Sequence, residues 1–160
     1  MGNQKFCYLA KVEILDPINH KQSIAISKVI KSAFQDLIEN KNITKFDEIM
    51  SPELKIHKNN EIWDYNTAYN YIKSLISDYK QVKFLPLDML LINNNYVTIK
   101  FTESLHLQNG NVENHRFISI FEIKQNKIKN IWELSVIKES NDNIILEPPN
   151  ENVLMYLNDL

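Results

Sequence analysis

Residues 96–123 read YVTIKFTESLHLQNGNVENHRFISIFEI, and apolar and polar side chains alternate on both sides of Asn109-Gly110. Alternation with a period of two is typical of strands that have one buried face. Asn-Gly between two such runs is the strongest short hairpin signal, because both residues of the tight turn need a positive φ. The stretch therefore predicts antiparallel strands at 96–107 and 112–123, joined by a two-residue turn.

Two further runs with a period of two flank this hairpin. They predict strands at 82–92 and 127–138, and the polar residues Asn93-Asn94-Asn95 and Gln125-Asn126 predict the turns that join them to it. Strands that follow one another through such short connections pair antiparallel. We therefore expect the four strands to form a meander.

The first half of the chain shows helical spacing instead. Apolar residues recur on one helical face over 22–39 and predict a long helix. Thr44 can cap a short second helix and Asn66 or Thr67 a third, with a short strand at 54–57 between them. Helices that precede a meander predict an α+β domain whose helices pack on one face of a sheet.

The length of 160 residues and the net charge of −2 predict one ordinary globular domain. We expect its core at about 22–139, with an N-terminal extension over 1–21 and a C-terminal extension over 140–160 that holds a short helix at about 153–157. No run reaches the roughly 20 apolar residues that a membrane-spanning helix needs. We therefore expect a cytoplasmic protein with no membrane partner.

The sequence does not contain the residues that several common kinds of functional site require. Cys7 is the only cysteine and the histidines lack the spacing of metal ligands, so we expect no metal site. Two glycines, Gly2 and Gly110, cannot build a glycine-rich phosphate loop, and no Gly-x-Ser-x-Gly motif occurs. The near-neutral charge gives no pull toward nucleic acid. We expect neither a cofactor nor a nucleic-acid partner.

Arg116 is the sole arginine of the chain. A two-residue turn at Asn109-Gly110 sets it directly opposite Glu103, on a face of the sheet that is otherwise apolar. Glu133 is expected on the same face. We interpret Glu103 and Arg116 as a structural charge pair, in the sheet or at a dimer interface.

The other face of the same strands carries a candidate pocket wall. With the second turn at Gln125-Asn126, we expect Ser119 opposite Trp132 and Phe117 opposite Leu134. Mostly apolar walls with a few polar groups are typical of small-molecule pockets, although the same aromatic residues can simply form core. The candidate ligand-binding residues are Thr102, Phe117, Ser119, Phe121, Trp132, Leu134 and, on the earlier strand, His57.

Both faces of the last two predicted strands are substantially apolar. A sheet with one wet face would not show this pattern. One face is therefore expected to pack on the helices, and the other on a second copy of the chain in a twofold homodimer.

Four segments carry a family resemblance: Phe46–Leu54, Ile56-His57, Arg116–Ile123 and Lys127–Glu133. Their pattern is similar to the nuclear transport factor 2-like superfamily, and within it to the polyketide cyclase-like (SnoaL-like) group. The resemblance implies a cystatin-like α+β roll, with N-terminal helices packed on a curved antiparallel sheet around a cone-shaped pocket. It also implies a dimer built on the outer face of the sheet.

The sequence departs from the known chemistries of that superfamily. The acid of the cyclases would fall at Val136, and the pocket acid of the ketosteroid isomerases near Ser119, and neither position is acidic here. His115 and Glu103 remain as candidate bases for proton transfer.

The sequence is therefore compatible with three functions. The first is a small dimeric domain that binds a small, largely apolar molecule in an aromatic-lined pocket. The second is a non-catalytic interaction or assembly module with a filled cavity, and the third is a cyclase- or isomerase-like enzyme. An open cavity of ~300 Å³ or more with a polar end would favour the first.

Overall fold

The computed structural model describes residues 12–14, 20–85 and 89–139, which form one sheet and the helices that cover it. Within these ranges the sheet has eight strands in the order β1-β5-β6-β7-β8-β2-β3, with β4 paired to β6. Neighbours run antiparallel except β1 with β5 and β2 with β8, which run parallel. The strands are β1 Val12–Ile14, β2 Met50–Lys58, β3 Glu61–Trp63, β4 Gln81–Phe84, β5 Met89–Asn93, β6 Tyr96–His106, β7 Val112–Lys124 and β8 Lys127–Glu139.

The helices pack on one face of this sheet. The long predicted helix is present as α1, His20–Lys31, which continues as a π-helical segment, Ser32–Glu39. After a 3₁₀ turn at Ile43–Lys45 come α2, Phe46–Ile49, and α3, Tyr65–Asp78. The predicted α+β class, with helices packed on a sheet, is confirmed, and the sheet is antiparallel except for its two parallel pairs.

The cap of α3 lies earlier than predicted. Asp64 has extended backbone angles, and its Oδ1 accepts a hydrogen bond of 2.8 Å from the backbone N of Thr67. This geometry satisfies one of the free N–H groups in the first helical turn. Asn66 and Thr67 therefore lie inside the helix.

The predicted strand over 82–92 is two strands. β4 pairs with Glu103–His106 of β6, and β5 pairs with Tyr96–Lys100 of the same strand. The sequence carries a signal for this interruption in Pro86, because a proline has no N–H to donate to a ladder.

The register of the β6–β7 hairpin differs from the prediction by one residue. Leu107 N donates to Asn111 O at 2.9 Å, so Gln108, Asn109 and Gly110 form a three-residue loop. Gly110 has a φ of +90°, whereas Asn109 is not among the described residues with positive φ. A three-residue loop with a left-handed glycine at its end is a common alternative to the two-residue turn.

This shift separates the predicted charge pair. Glu103 lies opposite His115, and Arg116 lies opposite Thr102. Side chains of adjacent residues point to opposite faces of a strand, so a slip of one residue changes every neighbour. Glu103 and Arg116 therefore lie on opposite faces of the sheet, and the prediction that they pair is wrong.

The β7–β8 hairpin turns where predicted but does not keep its register. Gln125 and Asn126 both have positive φ, and Lys124 lies opposite Lys127. A bulge then places one extra residue in β8, after which Ile120 lies opposite Trp132.

The predicted pairs along this hairpin are therefore wrong. Ser119 lies opposite Glu133 instead of Trp132, and Phe117 lies opposite Ser135 instead of Leu134. Bulges are not visible in alternation alone, since each flanking run keeps its own period of two.

We call the face toward the helices the inner face; it carries Val97, Ile99, Phe101, Glu103, Phe117, Ser119, Phe121, Ile131 and Glu133. The opposite, outer face carries Thr102, Arg116, Ile118, Ile120, Trp132 and Leu134. The inner face and the buried sides of the helices form one continuous core. The C-terminal helix predicted at about 153–157 lies outside the described residues.

Candidate functional site

A cavity of about 100 Å³ lies between the inner face and the helices. Its walls are mostly apolar and come from the π-helical segment, α2, α3 and six strands. They include Ala33, Phe34, Ile38, Phe46, Met50, Ile56, Trp63, Ile72, Leu75, Phe84, Phe101, Phe117, Phe121, Ile128 and Ile131.

Phenylalanine rings build the middle of this wall. The ring centre of Phe34 lies 4.5 Å from that of Phe84, 5.0 Å from that of Phe101 and 6.0 Å from that of Phe121, all edge to face. Phe101 stacks on Phe117 with a centre distance of 5.3 Å, because these residues are direct partners across β6 and β7. Such contacts hold the rings in fixed orientations.

Charged side chains also line the cavity. Lys58 and Glu133 are partners in the parallel pairing of β2 with β8, and Lys58 Nζ lies 2.8 Å from Glu133 Oε1. Their side chains are 21% and 19% exposed. The Lys58 ammonium also lies 5.4 Å from the ring centre of Trp63, 5.2 Å from that of Tyr71 and 5.6 Å from that of Phe117.

Glu103 is the third charged residue on the cavity wall. It is 8% exposed, and within the described ranges its carboxyl group has no hydrogen-bond partner and no ion pair. Burial raises its pKa to about 7, with a further contribution from the Glu133 carboxylate that Lys58 offsets in part. Near neutral pH, the Glu103 carboxyl group is therefore partly protonated and partly ionised.

The same surroundings shift the pKa values of Lys58 and Tyr71. Burial alone would lower the pKa of Lys58, but Glu133 and Tyr71 hold it above the usual value, so the ammonium stays charged. Burial raises the pKa of Tyr71, and Lys58 opposes this effect. This part of the cavity thus combines a cation, a neutral phenol and two carboxyl groups.

The structure places some of the candidate residues predicted from the sequence on the inner face and others on the outer face. Phe117, Phe121 and Glu103 line the cavity. Ser119 shares their face and is fully buried, with a hydroxyl that finds no hydrogen-bond partner in the described part of the chain. His115 lies opposite Glu103, with its Nε2 3.5 Å from Glu113 Oε2.

The other candidates lie on the outer face. The ring of His57 stacks on that of Trp132 at 5.2 Å between centres and 12° between planes. Burial and the charge of Lys55 lower the pKa of His57. Thr102 and Leu134 also lie on this face, so a ligand in the cavity would not contact them.

Sequence reasoning missed Lys58 and Tyr71. The predicted strand over 54–57 ends one residue before Lys58, and the observed β2 includes it. Tyr71 lies in α3 beside the apolar stripe that predicted this helix. No pattern in the sequence indicates the parallel pairing of β2 with β8 that joins Lys58 to Glu133.

The described residues contain neither a metal-binding cluster nor a membrane-spanning helix. No group of three histidine, cysteine, aspartate or glutamate side chains in 12–14, 20–85 and 89–139 could hold a metal ion. No helix in these ranges is long and apolar enough to cross a lipid bilayer.

Comparison by sequence identifies no relative, since no protein-family model and no curated protein matches the chain. Comparison by structure finds proteins of similar fold. An NTF2-like protein from Anabaena variabilis matches at a TM-score of 0.64 and 12% identity, over 75% of this chain and 95% of that one.

Two cyclase-type structures are also similar. An inferred SnoaL-like polyketide cyclase from Jannaschia sp. matches at a TM-score of 0.59 and 10% identity, over 75% of this chain and 88% of that one. IdmH, an inferred polyketide cyclase from Streptomyces antibioticus, matches at 0.59 and 10%, over 69% of this chain and 91% of that one. The chain therefore has the nuclear transport factor 2-like fold that its sequence resembles.

Proposed function

We propose that this protein binds a small, largely apolar molecule in the aromatic cavity, with one polar group of the ligand directed at Glu103. The observation that carries the proposal is a buried carboxyl group without a hydrogen-bond partner in the described residues, on the wall of a cavity lined by phenylalanine rings. A buried polar group without a partner is unfavourable, and a ligand can supply the missing hydrogen bond.

The size of the cavity limits the ligand. Its volume of about 100 Å³ is below the ~300–1,000 Å³ that is typical of drug-sized ligands. An apolar cavity of about 150 Å³ can bind benzene. The cavity is thus neither filled nor large, and it suits a molecule of roughly five heavy atoms.

We also propose that the protein is a homodimer that associates through the outer face. Ile118, Trp132 and Leu134 lie there partly exposed, away from the helices. A contiguous apolar surface of this kind favours association with a second copy. The cytoplasm is the proposed location, on the sequence grounds given above.

Binding can be tested by NMR titration with isobutanol, which fits the cavity by size. We expect shift changes at the amides of Phe101 and Phe117. Ala33→Leu, which fills the cavity, is expected to abolish them, whereas Ala25→Leu, a partly exposed position on the same helix, is the matched control. Equal shift changes in wild type and Ala33→Leu would contradict binding in this cavity.

A proton-transfer enzyme is the second candidate function, because Glu103 has a pKa of about 7 and lines a mostly apolar cavity. A base whose pKa lies near the working pH is the most efficient at proton abstraction. Deuterium uptake by cyclopentanone in D₂O is expected to be faster with wild type than with Glu103→Gln. Equal rates for the two proteins would exclude Glu103 as a base toward this ketone.

A further inference from the structure

The charged groups of the cavity wall do not balance. Lys58 contributes one ammonium, while Glu103 and Glu133 contribute two carboxyl groups. The ammonium lies 2.8 Å from Glu133, so its charge is already paired. When Glu103 is ionised, this wall carries one carboxylate more than it has cations.

A second buried glutamate, Glu122, shows how the chain stabilises a buried carboxylate with its own side chains. Glu122 is 5% exposed and lies on the outer face. Its carboxylate forms an ion pair with Lys124 Nζ at 2.6 Å and accepts hydrogen bonds from Asn130 Nδ2 and, at 3.4 Å, from Tyr96 Oη. Burial alone would raise the pKa of Glu122, but these partners lower it below the usual value.

Glu103 is buried to a similar degree without such partners. Its cross-strand neighbour His115 lies beside a different carboxylate, with Nε2 3.5 Å from Glu113 Oε2. Tyr71, the remaining titratable residue on the cavity wall, is a neutral phenol whose pKa burial raises further. Tyr79, on which the Glu103 charge also acts, is likewise a neutral phenol with a raised pKa. Lys58 acts electrostatically on Glu103 but is ion-paired with Glu133, so the described residues place no cation in direct contact with the Glu103 carboxyl group.

The aromatic rings of the cavity wall favour a cation. Aromatic faces attract ammonium groups within about 6 Å of their centres. Lys58 already uses Trp63, Tyr71 and Phe117 in this way, at 5.2 to 5.6 Å. A second ammonium beside Glu103 would meet the same kind of wall.

We propose that the ligand of this cavity is a small protonated amine, whose ammonium pairs with Glu103 while its hydrocarbon part contacts the phenylalanine rings. This inference rests on the proposed function and narrows it to one chemical class. An anionic ligand would face two carboxyl groups and a lysine whose charge is already paired. A neutral alcohol would leave the ionised form of Glu103 without a counter-charge.

The test compares isobutylamine with isobutanol, which have nearly the same shape, by NMR titration at pH 6 and pH 8. Because the pKa of Glu103 is about 7, its ionised fraction rises about tenfold between these values. We expect the affinity for the amine to rise about tenfold from pH 6 to pH 8. The affinity for the alcohol is expected to stay level or fall.

Two variants locate the effect. Glu103→Gln is expected to remove both the preference for the amine and its pH dependence, with binding of the alcohol retained. Glu48→Gln, which removes an exposed carboxylate with 64% side-chain exposure, is the matched control and is expected to behave as wild type. Loss of the preference in both variants would mean that general charge, not Glu103, attracts the amine.

The outcomes separate this inference from the function on which it rests. If isobutanol binds and isobutylamine binds no better at pH 8, the amine proposal is wrong and the binding cavity stands. If an amine preference persists in Glu103→Gln, the assigned partner is wrong. If neither compound perturbs the cavity amides, the proposed function fails as well.

Discussion

Lys58 and Glu133 face each other across the parallel pairing of β2 with β8, with 2.8 Å between Nζ and Oε1, on the wall of a cavity that also holds Glu103. This ion pair gives one of the two carboxyl groups on this wall a partner of opposite charge. The contrast between a paired and an unpaired carboxyl group underlies the proposed function.

Replacement of Lys58 tests the energetic role of the ion pair. Lys58→Met leaves the Glu133 carboxylate partly buried without its partner, and we expect a loss of about 1–3 kcal/mol in the free energy of unfolding. The measurement is urea denaturation. The double variant Lys58→Met with Glu133→Leu is expected to recover part of the loss, since it leaves no single charge behind. Unchanged stability in Lys58→Met would contradict a coupled pair.

Glu103 makes stability depend on pH in a predictable direction. Its pKa is about 7 in the folded protein against 4.5 in the unfolded chain, so the folded state binds more protons between these values. Stability is therefore highest below about pH 4.5 with respect to this group, falls as pH rises to about 7, and is level above. The total change is on the order of 3 kcal/mol.

The measurement is the difference in unfolding free energy between wild type and Glu103→Gln at pH 5 and pH 8. We expect the variant to gain stability relative to wild type at pH 8. Glu48→Gln serves as the control for general charge effects. A difference that does not vary with pH would show that Glu103 has an ordinary pKa.

The loop between β6 and β7 can be tested through its backbone angles. Gly110 has a φ of +90°, and a Cβ added there would meet no atom within 4 Å. Gly110→Ala is therefore expected to lose about 1 kcal/mol through backbone strain alone. Asn109→Ser, which retains a side-chain acceptor for Asn111 N, is expected to have little effect on thermal unfolding. An equal loss in both variants would indicate a two-residue turn.

The proposed dimer predicts a selective effect on the outer face. Leu134→Glu places a charge in the expected interface, so we expect it to produce monomers in sedimentation velocity at micromolar concentration. Ile24→Glu, on an α1 side chain that is 44% exposed, is the control and should remain dimeric. A monomeric wild type would contradict this part of the proposal.

The fold was predictable because its signals are local. Alternation around Asn109-Gly110 and the helical spacing over 22–39 each indicate one element, and the order of the elements gives the class. The site was less predictable because it depends on register. One residue in the first hairpin loop, and one in the β8 bulge between Ile128 and Asn130, decide which side chains share the inner face.

Individual residues show this limit. Phe117 and Phe121 were placed on the pocket wall because their own strand keeps its alternation, and they line the cavity. Trp132 was placed opposite Ser119 through an unbroken register and lies opposite Ile120 on the outer face instead. Lys58 meets Glu133 through a parallel pairing between distant segments, which local patterns do not specify.

The most direct test of the account is a crystal structure of the protein grown with isobutanol. We expect the alcohol between Phe101 and Phe117, with its hydroxyl at hydrogen-bond distance, about 2.5–3.0 Å, from a Glu103 carboxyl oxygen. A cavity closed by rearranged side chains, or a Glu103 carboxyl group directed into solvent, would contradict it.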